Sequence, residues 1–320
     1  MELEIYSKCR LHFGELIQIS ISDKKRVCIS NVLDVNYVHP FIRLLQSSSE
    51  SVLCVANETN GAGDTDQKLF SFKDNWHKKN NDTKSMHVIN TILKSTCYFG
   101  KTSFYTNNHD LEGLGMGSST ADIINAIKST YALLREECSV ATINYFLRKG
   151  EKASDPLHLE PVVYDTVRRE EDRLFMRPRI PSYLILSVKS PGLTPIVTDS
   201  MTYTFFSEEE CRELFSLICN EQKPPLEEHI DNIKRASAES LDIAQKFLKN
   251  PNCELIKEVA NKFNLGITGS HSGNMIGLTL WMQQIEDYNL HANIVEYINF
   301  LSPNAEVAIG KCTQLLGDST

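Results

Sequence analysis

The chain has 320 residues, enough for one large domain or two closely packed ones. Its 41 acidic and 33 basic side chains leave a net charge of −8, so there is no basic excess to neutralise a nucleic-acid backbone, and nucleic acid is not expected as a partner. Apolar residues (41%) and charged residues (23%) are in ordinary globular proportion, and no apolar run approaches the roughly 20 residues of a membrane helix.

The N-terminus, MELEIYSKCRLHFGELIQ, lacks a basic stretch followed by a long apolar run, so no signal peptide is read there. Nine cysteines are scattered without a CxxC pair, and an odd number cannot all pair within one chain. Reduced thiols in a cytoplasmic protein are therefore expected.

Taken in order, the first stretch alternates as strands do: Leu3 to Tyr6, Leu16 to Ile21, Val27 to Val38 and Ser51 to Asn57. Asn57 to Asp66 is rich in Gly and Asn and reads as a loop. Met86 to Cys97 has helical spacing, and Thr102 to Thr106 is a short strand. A Gly- and Ser-rich turn, Gly113 to Thr120, runs into a helix over Ala121 to Leu134, and a second helix covers Val140 to Lys149. Tyr183 to Val188 is an apolar strand. Helices follow over Glu208 to Cys219, Leu226 to Leu248 and Glu254 to Phe263, and then a second glycine turn, Gly266 to Gly277. The order predicts an α+β protein with a strand-rich first half and a helix-rich second half.

The turn EGLGMGSSTAD carries the strongest chemical signal. Gly113, Gly115 and Gly117 let the backbone bend and approach a ligand. The helix behind them offers unpaired N–H groups and the positive end of its dipole, a natural seat for polyphosphate. Ser118, Ser119 and Thr120 add hydroxyls that can cap the helix, bond phosphate oxygens or ligate Mg²⁺. The plainer alternative is a Ser or Thr N-cap behind a flexible turn. The Lys of a Walker loop is missing, which argues against a P-loop NTPase.

GLGMGSSTAD resembles the phosphate-binding motif of the GHMP kinases, the superfamily of galactokinase, homoserine kinase and mevalonate kinase. Two further stretches resemble that superfamily's other motifs in the same order: CRLHFGELIQ (Cys9 to Gln18) and LGITGSHSGNMIGL (Leu265 to Leu278). In detail, Phe13 to Gln18, Met116 to Asp122 and Ser270 to Gly273 are similar to the L-threonine kinases of the PduX type. The resemblance implies an N-terminal ribosomal-S5-like domain over 1–180 and a C-terminal ferredoxin-like domain over 181–320, with ATP and Mg²⁺ as cofactors.

It implies an ATP-dependent phosphotransferase acting on the hydroxyl of a small hydroxy amino acid, with L-threonine favoured. Serine, homoserine, another small alcohol and a non-catalytic ligand-binding role are the alternatives, and a homodimer is left open. Phosphate contacts fall to Gly113, Gly115, Gly117, Ser118, Ser119 and Thr120, and from the third motif to Gly269, Ser270, Ser272 and Gly273. Gly14, Glu15 and His271 are the substrate candidates, and Glu15 suits an α-ammonium group. In KGEKASDP, Glu151 with Ser119 would hold Mg²⁺ and Asp155 would take the hydroxyl proton. The alternative for that stretch is a solvated charged loop. Asn60 to Asp64 matches the GAGD string of ribokinase-type sugar kinases, but it lies early and opens no clear helix, so it is read as a loop.

Overall fold

The computed structural model describes residues 2–19, 24–33, 48–56, 77–78, 83–96, 101–106, 115, 117–151, 154, 162–165, 170–171, 181, 183–189, 216–219, 224–270, 275–281, 284, 289–303 and 305–312. The chain divides into two compact units built from separated segments: 1–9, 48–112 and 117–158 form one, and 10–47, 113–116 and 159–320 the other.

In the first unit, the start of β1 (Glu2–Ile19) pairs antiparallel with β3 (Ser48–Ala56). Strand β3 continues to β5 (Lys101–Thr106), which also takes the short β4 (His77–Lys78). The sequence predicts two strands where β1 runs as one of 18 residues. Its intervening polar residues do not interrupt it, because a strand half can pair with a different neighbour.

Among the described residues of this unit are three helices: α1 (Lys84–Ser95), α2 (Ser118–Leu134) and α3 (Val140–Gly150). Thr83 caps α1 through Met86 N–H, and Ser139 caps α3 through Thr142 N–H, which answers two of the N–H groups that a helix start leaves open. Val88 and Ile92 of α1 meet Ile123 and Ile127 of α2 and Ile143 and Leu147 of α3 in one apolar cluster. Met86, Ile89 and Leu93 meet Phe104 of β5 in another. Helix α2 is buried almost all round, including Asn125, Ser129 and Thr130. Ser129 and Thr130 satisfy their hydroxyls on the carbonyls of Asn125 and Ala126, at 2.6 Å each, which offsets the cost of burying them.

The second unit holds the sheet order β11-β8-β10-β9, continuing to the later part of β1 and then β2, β6 and β7. These strands are β2 (Lys24–Leu33), β6 (Val162–Asp165), β7 (Glu170–Glu171), β8 (Tyr183–Lys189), β9 (Gly266–Gly269), β10 (Met275–Trp281) and β11 (Glu306–Cys312). The long helices among its described residues are α4 (Leu226–Leu248), α5 (Cys253–Phe263) and α6 (Leu290–Leu301). The period of two puts Leu186 and Val188 on one sheet face with Ile276, Leu278 and Leu280. That face packs on Ile256 and Val259 of α5 and Ile294 and Ile298 of α6.

The expected glycine turn over Gly266 to Gly277 is thus mostly strand. Gly266–Gly269 and Met275–Trp281 pair antiparallel, with Ile267 opposite Leu278. Of the expected helix over Glu208 to Cys219, only its last four residues are described, and 216–218 are helical. No helix among the described residues is long and apolar enough to cross a membrane.

Candidate active site

Gly117 is the residue before α2, and its φ of 76° lies in the left-handed region; Gly115 stands at 77°. A side chain at either position would meet its own carbonyl oxygen, so the bend into the helix needs glycine. Helix α2 starts at Ser118, three residues before the start read from the sequence, so the three hydroxyl residues form its first turn. Among the described residues no side chain caps this helix, in contrast to α1 and α3, and its first turn carries no acidic residue.

The extended residue that ends α3 is Glu151. Gly150, just before it, brings the end of α3 against the other helices: a Cβ there would stand 3.0 Å from Ile123 Cδ1 and 3.3 Å from Val88 Cγ2. The result is a meeting across 32 positions of sequence. Ser119 Oγ donates to Glu151 Oε1 at 2.6 Å. Thr120 Oγ1 donates to Oε2 of the same carboxylate at 2.8 Å. Lys84, the first residue of α1, brings its Nζ to 3.8 Å from Oε1. The cluster is one buried carboxylate, two hydroxyls and an ammonium group, set at a helix start behind the left-handed Gly117.

Such an arrangement offers hard oxygen donors and helix-start N–H groups side by side. It fits a divalent cation bound together with an anion, since Mg²⁺ commonly takes one or two protein oxygens and fills its shell with phosphate and water. Of the sequence candidates, Ser119, Thr120 and Glu151 are brought together, behind Gly117. Lys84 escapes a reading of the sequence, where its one signal is its place at the start of a capped helix. Ser154 is 2% exposed and its hydroxyl has no hydrogen-bond partner among the described residues.

In the second unit, Gly269 ends β9 and Ser270 follows, its N–H bonded to Met275 O at 2.9 Å. The Ser270 hydroxyl is buried and has no partner among the described residues. Protein fills the space beside the glycines of this strand: a Cβ on Gly269 would lie 2.7 Å from Leu241 Cδ1, and one on Gly266 would collide with Thr279 Oγ1. Gly14 and Glu15 lie on β1, in the part belonging to the second unit. Gly113, Asp155, His271, Ser272 and Gly273 lie outside the described residues, as does the side chain of Ser118. No group of three or more His, Cys, Asp or Glu suited to a metal occurs among the described residues.

The fold is shared with several solved structures, small-molecule kinases among them. The chain is similar to homoserine kinase from Cytophaga hutchinsonii over 98% of its length and 94% of that chain, with a TM-score of 0.61 and 13% identity. It is similar to phosphomevalonate kinase from Streptococcus pneumoniae over 97% of this chain and 99% of that one, with a TM-score of 0.59 and 10% identity. Mevalonate pyrophosphate decarboxylase from Streptococcus pyogenes shares the fold as well, over 98% of both chains, with a TM-score of 0.59 and 11% identity. No family model and no curated protein sequence matches the chain.

Proposed function

We propose that this chain is an ATP-dependent phosphotransferase whose acceptor is the hydroxyl of a small hydroxy amino acid, L-threonine first and homoserine or serine next. The observation that carries the reading is the Ser119–Glu151 contact at the start of α2, behind the left-handed Gly117. The order of the three glycine-containing motifs supports it, and so does the fold's likeness to a homoserine kinase. In this reading 1–180 is a ribosomal-S5-like domain, 181–320 is a ferredoxin-like domain, and the protein works in the cytoplasm.

The N–H groups from Gly117 to Thr120 hold the nucleotide phosphates, aided by the third-motif residues Gly269, Ser270, Ser272 and Gly273. Ser119 and Glu151 hold Mg²⁺, which supplies charge neutralisation on the phosphates. Glu15 binds the substrate ammonium, with Gly14 and His271 beside the substrate. Asp155 accepts the proton of the attacking hydroxyl as the new O–P bond forms and the bond to the leaving ADP oxygen breaks.

The test is incubation with ATP, Mg²⁺ and a panel of hydroxy compounds, read by mass spectrometry. Phosphothreonine as the dominant product supports the full reading. A different phosphorylated alcohol moves the substrate and keeps the reaction class. Nucleotide binding without turnover of any acceptor would instead indicate a binding protein on a kinase fold.

A further inference from the structure

The two oxygens of Glu151 are held in different ways. Oε2 accepts from Thr120, whose side chain is buried at 3% exposure. Oε1 accepts from Ser119, which is exposed, at 2.6 Å and lies 3.8 Å from the Lys84 ammonium, whose side chain is 47% exposed against 6% for Glu151. A buried hydroxyl on a helix has few rotamers to explore, so its bond restrains Oε2. A half-exposed lysine at 3.8 Å makes a weak, solvent-screened ion pair. Both oxygens thus accept a hydroxyl bond, but Oε2 is held by a buried donor and Oε1 by partners that reach solvent.

We propose that Thr120 is a positioning residue that clamps Oε2 of Glu151, and that Lys84 is a placeholder cation on Oε1 that a divalent ion displaces. The inference rests on the proposed function, in which Ser119 and Glu151 hold the ion. It assigns Thr120 to the carboxylate and not to phosphate: its hydroxyl proton is already committed to Oε2. It also gives the two neighbours of Glu151 opposite effects on the ion. Loss of the clamp frees the carboxylate to rotate and weakens binding. Loss of the placeholder removes a competing positive charge and strengthens binding.

The experiment measures Mn²⁺ affinity of the full chain in the presence of a non-hydrolysable ATP analogue, by electron paramagnetic resonance of the free ion. Thr120→Val, which keeps the shape and removes the hydroxyl, should weaken Mn²⁺ binding by about tenfold or more, the usual effect of losing a group that orients a metal ligand. Thr120→Ser should restore most of it. Lys84→Met should tighten binding by up to about fivefold, the range of an exposed ion pair. Circular dichroism identifies any variant that fails to fold, and Thr120→Ser then stands as the test of the hydroxyl against Thr120→Ala. Wild-type affinity in a folded variant lacking the hydroxyl overturns the clamp, and weaker binding in Lys84→Met overturns the placeholder. If the wild-type protein binds no Mn²⁺ with the analogue, the proposed function falls and this inference falls with it.

Discussion

Ser119 and Thr120 are neighbours in the chain, yet both reach the same carboxylate. In a strand they would point to opposite faces, whereas in a helix they lie about 100° apart and can converge on a group beyond the helix end. Ser119 is exposed, so truncating it opens no cavity. Ser119→Ala is therefore expected to fold normally and to lose kcat by about 10²-fold or more, as loss of transition-state charge stabilisation does. Gly117→Val is expected to abolish nucleotide binding, because its φ of 76° is closed to a β-branched residue. Steady-state kinetics and isothermal titration read the two results.

Glu151 and Asp155 should separate in their response to the ion. Glu151→Gln is expected to recover activity as Mg²⁺ is raised, since a weakened ligand set is compensated by mass action. Asp155→Asn is expected to lose about 10²–10⁴-fold in kcat at any Mg²⁺ concentration, the usual contribution of a positioned base. A Mg²⁺ titration of both variants checks this, and Asp155→Asn with near wild-type kcat removes the base. Cys219 offers a test that involves none of the candidate site residues. Burial pushes its thiol from 9.0 up to about 12. At pH 8 its thiolate fraction is then roughly a thousandfold lower than in the unfolded chain, so alkylation of the native protein should be correspondingly slow and recover in urea. Folding favours the neutral thiol, so this group leaves stability unchanged below pH 9 and lowers it as pH rises from 9 toward 12.

At the scale of elements, helical periodicity reads well where one face is apolar. Met86 to Cys97, Val140 to Lys149, Leu226 to Leu248 and Glu254 to Phe263 lie within a few residues of α1, α3, α4 and α5. The start of α2 reads three residues late, because serines and threonines favour caps and turns as much as a first helical turn. The third glycine motif misleads in another way. Glycines suggest a turn, but Gly266 and Gly269 sit in a strand, where neighbouring side chains occupy the space of their missing Cβ. Gly266→Ala is therefore expected to destabilise the fold by about 1–3 kcal/mol, as overpacking does. Adding Thr279→Ala removes the colliding oxygen, and the double variant should recover part of the loss in urea denaturation. Equal, additive effects would show that the two positions do not meet.

For the molecule as a whole, ligand linkage gives the most direct check. A nucleotide that binds only the folded chain stabilises it by about 2.7 kcal/mol at a hundredfold excess over Kd. Tm should rise with ATP and Mg²⁺ together, and the rise should shrink in Ser119→Ala and Glu151→Gln. An unchanged Tm in saturating ATP and Mg²⁺ would remove nucleotide binding from the reading.

The glycines, the hydroxyls and the helix behind them are contiguous in the chain, so local chemistry alone marks Gly113 to Thr120 as a candidate anion seat. Alternation and helical spacing likewise carry the α+β class, since both depend on near neighbours in the chain. The register of β1 cannot be read locally, because an 18-residue strand is sustained by different partners along its length. The partners of Glu151 are equally hidden from the sequence. A glutamate, two hydroxyls and Lys84 at the start of a separate helix become a site only when α1, α2 and α3 close on the cluster of Val88, Ile123 and Leu147. That packing comes from apolar burial, which is non-directional and leaves no mark on the polar residues it brings together.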